Sequence, residues 1–287
     1  MAKQVDSKII LKRLERIDDL PTLPVIAMEV NRLLMDYNTS IEKLAETIEK
    51  DQAIVPKLLK LVNSAFYGFQ SRVGNLSKAI VLLGFNTISN ALTALSVIEA
   101  FSSSRGDEKL NMIDFWIHSV SVAVISRSLA EKLRLSSPED AFTGGLLHDI
   151  GKIILSQFFP ELFSKAYQSA IQDGLSFYEA EKKTIPITHA RIGSFLAKKW
   201  QLPDSLIDVI RCHHSIRKNV ADYDLLCVVH VADIIDHTFI AKSNKDFNLP
   251  VMNNDAARLL KPVLNSLPEW LPELRKKIEE ACGFFLK

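Results

Sequence analysis

SIEKLAETIEKD, residues 40–51, is the stretch that decides the fold class. Ile41, Leu44, Ala45 and Ile48 recur at i, i+3, i+4 and i+7, the spacing of one helix face. Thr39 or Ser40 stands where an N-cap is needed. Outward from this stretch the same period continues. Leu58, Leu59, Leu61 and Val62 begin an apolar stripe after Pro56, and Gly68 ends that segment. AIVLLG (79–84) is a short apolar stretch with Ser77 as its cap, and TISNALTALSVIEAF (87–101) reads as a longer helix. No two alternating runs are joined by Asn-Gly or Asp-Gly, so hairpins are not expected. The expectation is an all-α fold.

SSSRGDEKLN, residues 102–111, is polar and without periodicity, which marks a boundary. It divides an N-terminal helical lobe (1–105) from a second helical lobe (106–242), followed by a C-terminal helical tail (243–287). In the second lobe Phe115 to Leu133 reads as one long helix carrying His118. Pro138 and Gly144-Gly145 frame a helix through GLLHDIGKIILSQF (145–158). His148 and Asp149 would then be neighbours on one helix, ~100° apart around its axis. Asp173-Gly174 marks a turn. Pro186 and Thr188 announce a helix through Trp200; Pro203 and Asp204 announce the next, which runs into His213-His214; Leu225 to Phe239 is another. Prolines at 250, 262, 268 and 272 suggest short helices in the tail.

Composition narrows the function. The 35 basic and 34 acidic residues nearly cancel, so no global field favours nucleic acid or a membrane surface. Residues 1–105 hold 13 Lys or Arg against 11 Asp or Glu, too balanced for a DNA-binding lobe. Cys212, Cys227 and Cys282 form no CxxC pair and are odd in number, which points to reduced thiols and a cytoplasmic location. MAKQVDSKII lacks the apolar core of a signal peptide, and no apolar run approaches the ~18 residues of a membrane span.

All seven histidines fall between His118 and His237. Five occur in segments that read together as a metal site: FWIHSV (His118), GLLHDIGK (His148, Asp149), THARIG (His189) and RCHH (His213, His214), with Asp233 in HVADIID. Imidazole and carboxylate suit one or two divalent ions such as Fe, Mn, Ni or Zn. Lys152, one turn beyond Asp149, is a cation placed to meet a phosphate oxygen. Each motif alone is weak, since a helix C-terminus welcomes histidine without any metal. His230 and His237 share a helical face with Asp233; His230 is expected to be packed or supporting and His237 to face solvent. Cys212 is expected to be a buried, inert thiol.

The order and spacing of these residues resemble the HD superfamily of metal-dependent phosphohydrolases. That resemblance implies one ion held by His118, His148, Asp149 and Asp233, and a second by His189, His213 and His214, with Asp149 bridging. The first half is more specific. LPTLPVIAMEVNRLL, IEKDQAIVPKLLKLVNSAFYG and SKAIVLLGFNTISNAL, together with LLHDIGK, resemble the HDOD family over about residues 20–240. The resemblance implies a bacterial signalling or regulatory module that acts with a signalling protein partner and has little catalysis. The alternative is a working phosphohydrolase on a nucleotide or other phosphate ester, with Asp149 and Lys152 in its catalytic apparatus. Cyclic di-GMP hydrolases of the related HD-GYP type carry Gly-Tyr-Pro after the double histidine; HHSIRKNVADYD (213–224) lacks it. In NSAFYG, Asn63 is expected to cap backbone groups at the turn. Phe66 and Phe69 are expected to plug the junction between lobes rather than form a partner surface.

Overall fold

The computed structural model describes residues 7–17, 20–21, 23–34, 36, 38–64, 71–102, 110–240 and 251–286. The helices are α1 (Ser7–Glu15), α2 (Val25–Leu34), α3 (Ile41–Glu49), α4 (Ile54–Val62), α5 (Leu76–Leu83), α6 (Phe85–Ser102), α7 (Met112–Leu133) and α8 (Pro138–Leu147). They continue as α9 (Ile150–Phe158), α10 (Pro160–Asp173), α11 (Phe177–Thr184), α12 (His189–Lys199), α13 (Asp204–Cys212), α14 (Tyr223–Ile235), α15 (Asn254–Leu264) and α16 (Leu267–Phe285). One π-helical turn, Asp236–Ile240, follows α14 directly. No strand occurs among the described residues. The fold is all-α, as the periodicity requires.

Local chemistry sets the helix ends. Ser40, not Thr39, caps α3 by accepting from the Lys43 N–H; the Thr39 hydroxyl donates to the Leu33 carbonyl instead. Asn75, not Ser77, caps α5, because its side chain reaches the Lys78 N–H. Pro56 lies inside the first turn of α4, where a missing N–H costs nothing, so the helix begins ahead of it. Asn63 takes the expected capping role: its amide donates to the Leu59 and Val73 carbonyls and accepts from the Val73 N–H. Phe66 and Phe69 lie outside the described residues, as does most of the boundary segment at 103–109. The tail differs from expectation. Pro268 falls in the first turn of α16, and the helix continues through Pro272 for 19 residues.

Helices α2 to α6 pack on one another, and α6 lies against α8. Side chains tie these helices to the later ones. Asn90 on α6 donates to Asp140 on α8 at 2.6 Å, and the buried Trp200 indole donates to the Pro21 carbonyl at 3.1 Å. Helix α7 is buried nearly all round from Phe115 to Ala130, as befits a core helix. It packs most extensively on α8, with α14 and α16 against it as well. No single helix among the described residues is long and apolar enough to cross a membrane.

The α7–α8 crossing requires glycine. A Cβ on Gly145 would lie 2.8 Å from Ala123 Cα and from the Val122 carbonyl oxygen, both backbone atoms. Alanine in a helix gains about 1 kcal/mol over glycine, whereas overpacking a core costs about 1–3 kcal/mol. A clash with immovable backbone sits at the upper end of that range. Gly145→Ala should therefore destabilise by about 2 kcal/mol. Gly283→Ala, where an added Cβ meets nothing within 4 Å, should stabilise by up to about 1 kcal/mol. Opposite shifts of the urea midpoint would check both.

Candidate metal centre

His148 and Asp149 do not share one helix. His148 closes α8 and Asp149 precedes α9, with backbone angles of −100° and 4° at Asp149. The expected ~100° separation on a continuous helix is thus replaced by a turn that aims both side chains at one point. The turn is held from behind by Gly151. A Cβ there would sit 1.9 Å from the His189 carbonyl oxygen and 2.7 Å from Gly193 N, so α9 and α12 meet backbone to backbone. The same approach seats His189, the first residue of α12, opposite Asp149.

Four imidazoles are anchored through Nδ1, which turns each Nε2 inward. His148 and His213 cap the ends of α8 and α13, and each donates to the carbonyl three residues back: Gly145 at 2.7 Å and Ile210 at 3.0 Å. His118 donates to Asp236 Oδ2, and His189 to Glu181 Oε2, both at 2.7 Å. Glu181 also accepts the His189 backbone N–H at 2.8 Å. A carboxylate behind a ligating imidazole fixes its tautomer and raises its basicity.

The inward atoms form two cages. In the first, His118 Nε2 lies 3.3 Å from His148 Nε2, 3.6 Å from Asp149 Oδ2 and 3.4 Å from Asp233 Oδ1. His148 Nε2 is 3.4 Å from Asp149 Oδ2 and 3.8 Å from Asp233 Oδ1. In the second, His189 Nε2 lies 3.4 Å from His213 Nε2, 3.2 Å from His214 Nε2 and 3.1 Å from Asp149 Oδ1. His213 Nε2 is 3.6 Å from the same oxygen. A tetrahedron with bonds of 2.0–2.2 Å has edges of ~3.3–3.6 Å. The edges of the two cages, 3.1–3.8 Å, straddle that range, and Asp149 gives one oxygen to each. Asp149 Oδ1 and Asp233 Oδ1 are buried without a hydrogen-bond partner among the described residues, which suits cation ligands.

Around the cages the expectations fare unevenly. Lys152 donates to Asp149 Oδ2 and lies over the Phe177 ring, so its ammonium is engaged at the centre itself. His230 is packed, as expected: Nδ1 donates to the His213 carbonyl and Nε2 accepts the Asn253 N–H. Cys212 is buried and free. His237 contradicts its solvent-facing expectation. The π-helical turn brings it inward, 3.3 Å from Asp233 Oδ1, with its ring 4.8 Å from that of His118. Glu181, Asp236 and Tyr178, whose ring lies 4.5 Å from His214, escaped the sequence reading. Signals existed for the acids: Glu181 shares the buried face of α11 with Phe177 and Ala180, and Asp236 stands three residues after Asp233.

Electrostatics follow from burial. It would push the Asp149 carboxyl up, but Lys152 and the surrounding imidazoles hold it well below the usual range. Asp233 is likewise held well below, by His237, His148 and His118 against the effect of burial. Burial dominates at His148 and drives it down to about 3. At His189 burial acts the same way, but Glu181 and Asp149 together outweigh it and push it up to about 9.

Comparison with known proteins accords with this geometry. The chain belongs to the HDOD domain family, whose pattern matches residues 20–216. An HDOD domain protein of unknown function from Geobacter sulfurreducens has the same fold, with 24% identity, a TM-score of 0.76, and 95% of this chain and 97% of that one covered. So does a candidate signal transduction protein from Marinobacter aquaeolei VT8, at 18% identity and a TM-score of 0.73, covering 99% and 62%. An uncharacterized protein from Treponema pallidum (strain Nichols) is 27% identical over 73% of this chain. Ribonuclease Y from Mycoplasmoides gallisepticum is 23% identical over 95% of it. The matches span 40% and 44% of these two curated relatives, so this chain covers less than half of either.

The shifted histidines set a pH optimum for the metal-free protein. Burial lowers His148, His214 and His230; at His118 and His189 it is outweighed by neighbouring carboxylates, which raise both. His148, depressed below its ordinary 6.5, opposes folding as pH falls below 6.5. His189, raised above 6.5, contributes stability that is complete below 6.5 and lost as pH rises toward 9. Chelator-treated protein should therefore melt highest near pH 6.5 and lower on either side. A melting temperature that climbs steadily from pH 6.5 to 9 would contradict the His189 environment.

Proposed function

We propose that this protein is a bacterial signalling or regulatory HDOD module whose second lobe holds a pair of divalent transition-metal ions, with the centre serving structure or sensing more than turnover. The observation that carries the metal reading is the pair of cages sharing Asp149. His118, His148, Asp149 and Asp233 would hold one ion, and Asp149, His189, His213 and His214 the other. The nitrogen-rich donor set favours Fe, Ni or Zn, and Mn is admissible through the carboxylates. Little catalysis is supported by Lys152: its ammonium is bound to Asp149 rather than reaching outward for a substrate. A signalling protein would be the partner, the location cytoplasmic, and neither nucleic acid nor a membrane the target, in keeping with the balanced charge.

A second reading is a phosphohydrolase acting on a nucleotide or another phosphate ester. Its support is the complete ligand set and a relative named as a ribonuclease. When bound, such ions activate water and neutralise phosphate charge. On this reading Asp149 would bridge the ions and Lys152 would meet a phosphate oxygen of the bound ligand.

Protein purified without added metal or chelator should contain up to two transition-metal ions per chain. An ion at 100 times its Kd stabilises the native state by about 2.7 kcal/mol. Chelator should therefore lower the melting temperature of the wild type and leave Asp149→Ala unmoved. Cyclic di-GMP and simple phosphodiesters should not turn over. Rapid turnover lost in Asp149→Ala and Lys152→Ala would replace the regulatory reading with the hydrolytic one.

A further inference from the structure

We infer that His237 is a further metal donor at the sub-site of His118, His148, Asp149 and Asp233, making that sub-site a three-histidine, two-carboxylate centre for a divalent transition metal. The inference rests on the metal reading above and extends it to a residue outside both cages.

Three observations carry it. The first is position. His237 Nε2 is 3.3 Å from Asp233 Oδ1, the same length as the edges of the first cage, and its ring is 4.8 Å from that of His118. The second is the state of the aspartate. Asp233 Oδ1 is buried, and three imidazole nitrogens face it: His237 at 3.3 Å, His118 at 3.4 Å and His148 at 3.8 Å. Three nitrogens gathered on one carboxylate oxygen form the arrangement of donors around a shared cation. The third is the backbone. His237 lies in the π-helical turn Asp236–Ile240, and such turns cluster at functional sites. This turn also supplies Asp236, the carboxylate that anchors His118. One local widening of the helix therefore equips the same sub-site twice.

The result mirrors the second sub-site. There, buried His189 and His213 are joined by half-buried His214. In the first, buried His118 and His148 are joined by half-buried His237, whose side chain is 18% exposed. Each ion then has three imidazoles, with the outermost on the solvent side, and Asp149 between them. A third imidazole shifts the first sub-site toward Fe, Ni and Zn and away from oxygen-preferring Mg or Ca. The family match ends at residue 216, so His237 lies beyond it.

The test uses Co2+ as the probe on the full chain. In paramagnetic proton NMR each ligating imidazole gives a far-shifted N–H signal. Fully loaded wild type should show six, from the five histidines of the two cages and His237. His237→Ala should show five, and one of its two Co2+ equivalents should bind on the order of tenfold more weakly, or worse. His237→Gln keeps an amide that can hydrogen-bond Asp233 but no imidazole, so it should match the alanine variant. Five signals in wild type, or restoration of affinity by glutamine, would overturn the inference while leaving the metal reading intact. Wild type that takes up no Co2+ would remove both.

Discussion

Four carboxylates, Asp149, Glu181, Asp233 and Asp236, are buried together among the later helices, and each is 2% exposed or less. Desolvating even one unpaired carboxylate costs several kcal/mol, so their presence dictates what surrounds them. Every one faces an imidazole, and Asp149 faces Lys152 as well. These helices are arranged to deliver those counterparts: α7 brings His118, α8 His148, α12 His189, and the end of α13 His213. A cluster so rich in buried negative charge is balanced most simply by cations at its centre. The apolar core explains why the helices collapse; the carboxylates explain why they meet where they do.

Much of this was legible in the chain. Histidine clustering points to a metal site by residue type alone, and the resemblance to the HD superfamily implies how those residues divide between two ions. What periodicity could not show was the break between His148 and Asp149. Both residues fit a helical pattern, and the turn comes from packing: Gly145 of α8 against α7 and Gly151 of α9 against α12 each allow backbone contact that no local propensity encodes. Glu181 and Asp236 were passed over for a related reason. They act through histidines far away in sequence, 8 and 118 residues distant, and only the fold pairs them. Prolines in the tail predict breaks, but Pro268 sits in a first turn where its ring fits, and Pro262 and Pro272 are carried inside α15 and α16.

The N-terminal lobe brings no histidine to the centre but is not detached from it. Ser89 donates to Asn31 at 2.8 Å, a buried polar pair that locks α6 to α2, and the next residue, Asn90, reaches α8. Arg191 on α12 donates to Ser7 at the start of α1, and Arg13 on α1 lies over the Phe159 ring. These contacts fall on α8, α12 and the end of α9, which also present His148, His189 and Asp149. The polar stitches between lobes therefore attach to the same helices that carry the ligands.

Helix α12 shows what that attachment means mechanically. It bears His189 at its first residue, and Trp200 follows its last, with the indole fastened to the Pro21 carbonyl. Eleven residues of helix span ~16 Å as a stiff rod. One end is set in the cage and the other in the N-terminal lobe, while Gly193 presses against Gly151 between them. A rod held at both ends would carry displacement from one to the other. Any such coupling is reciprocal, so an ion that fixes His189 would favour the Trp200–Pro21 contact by as much as that contact favours the ion.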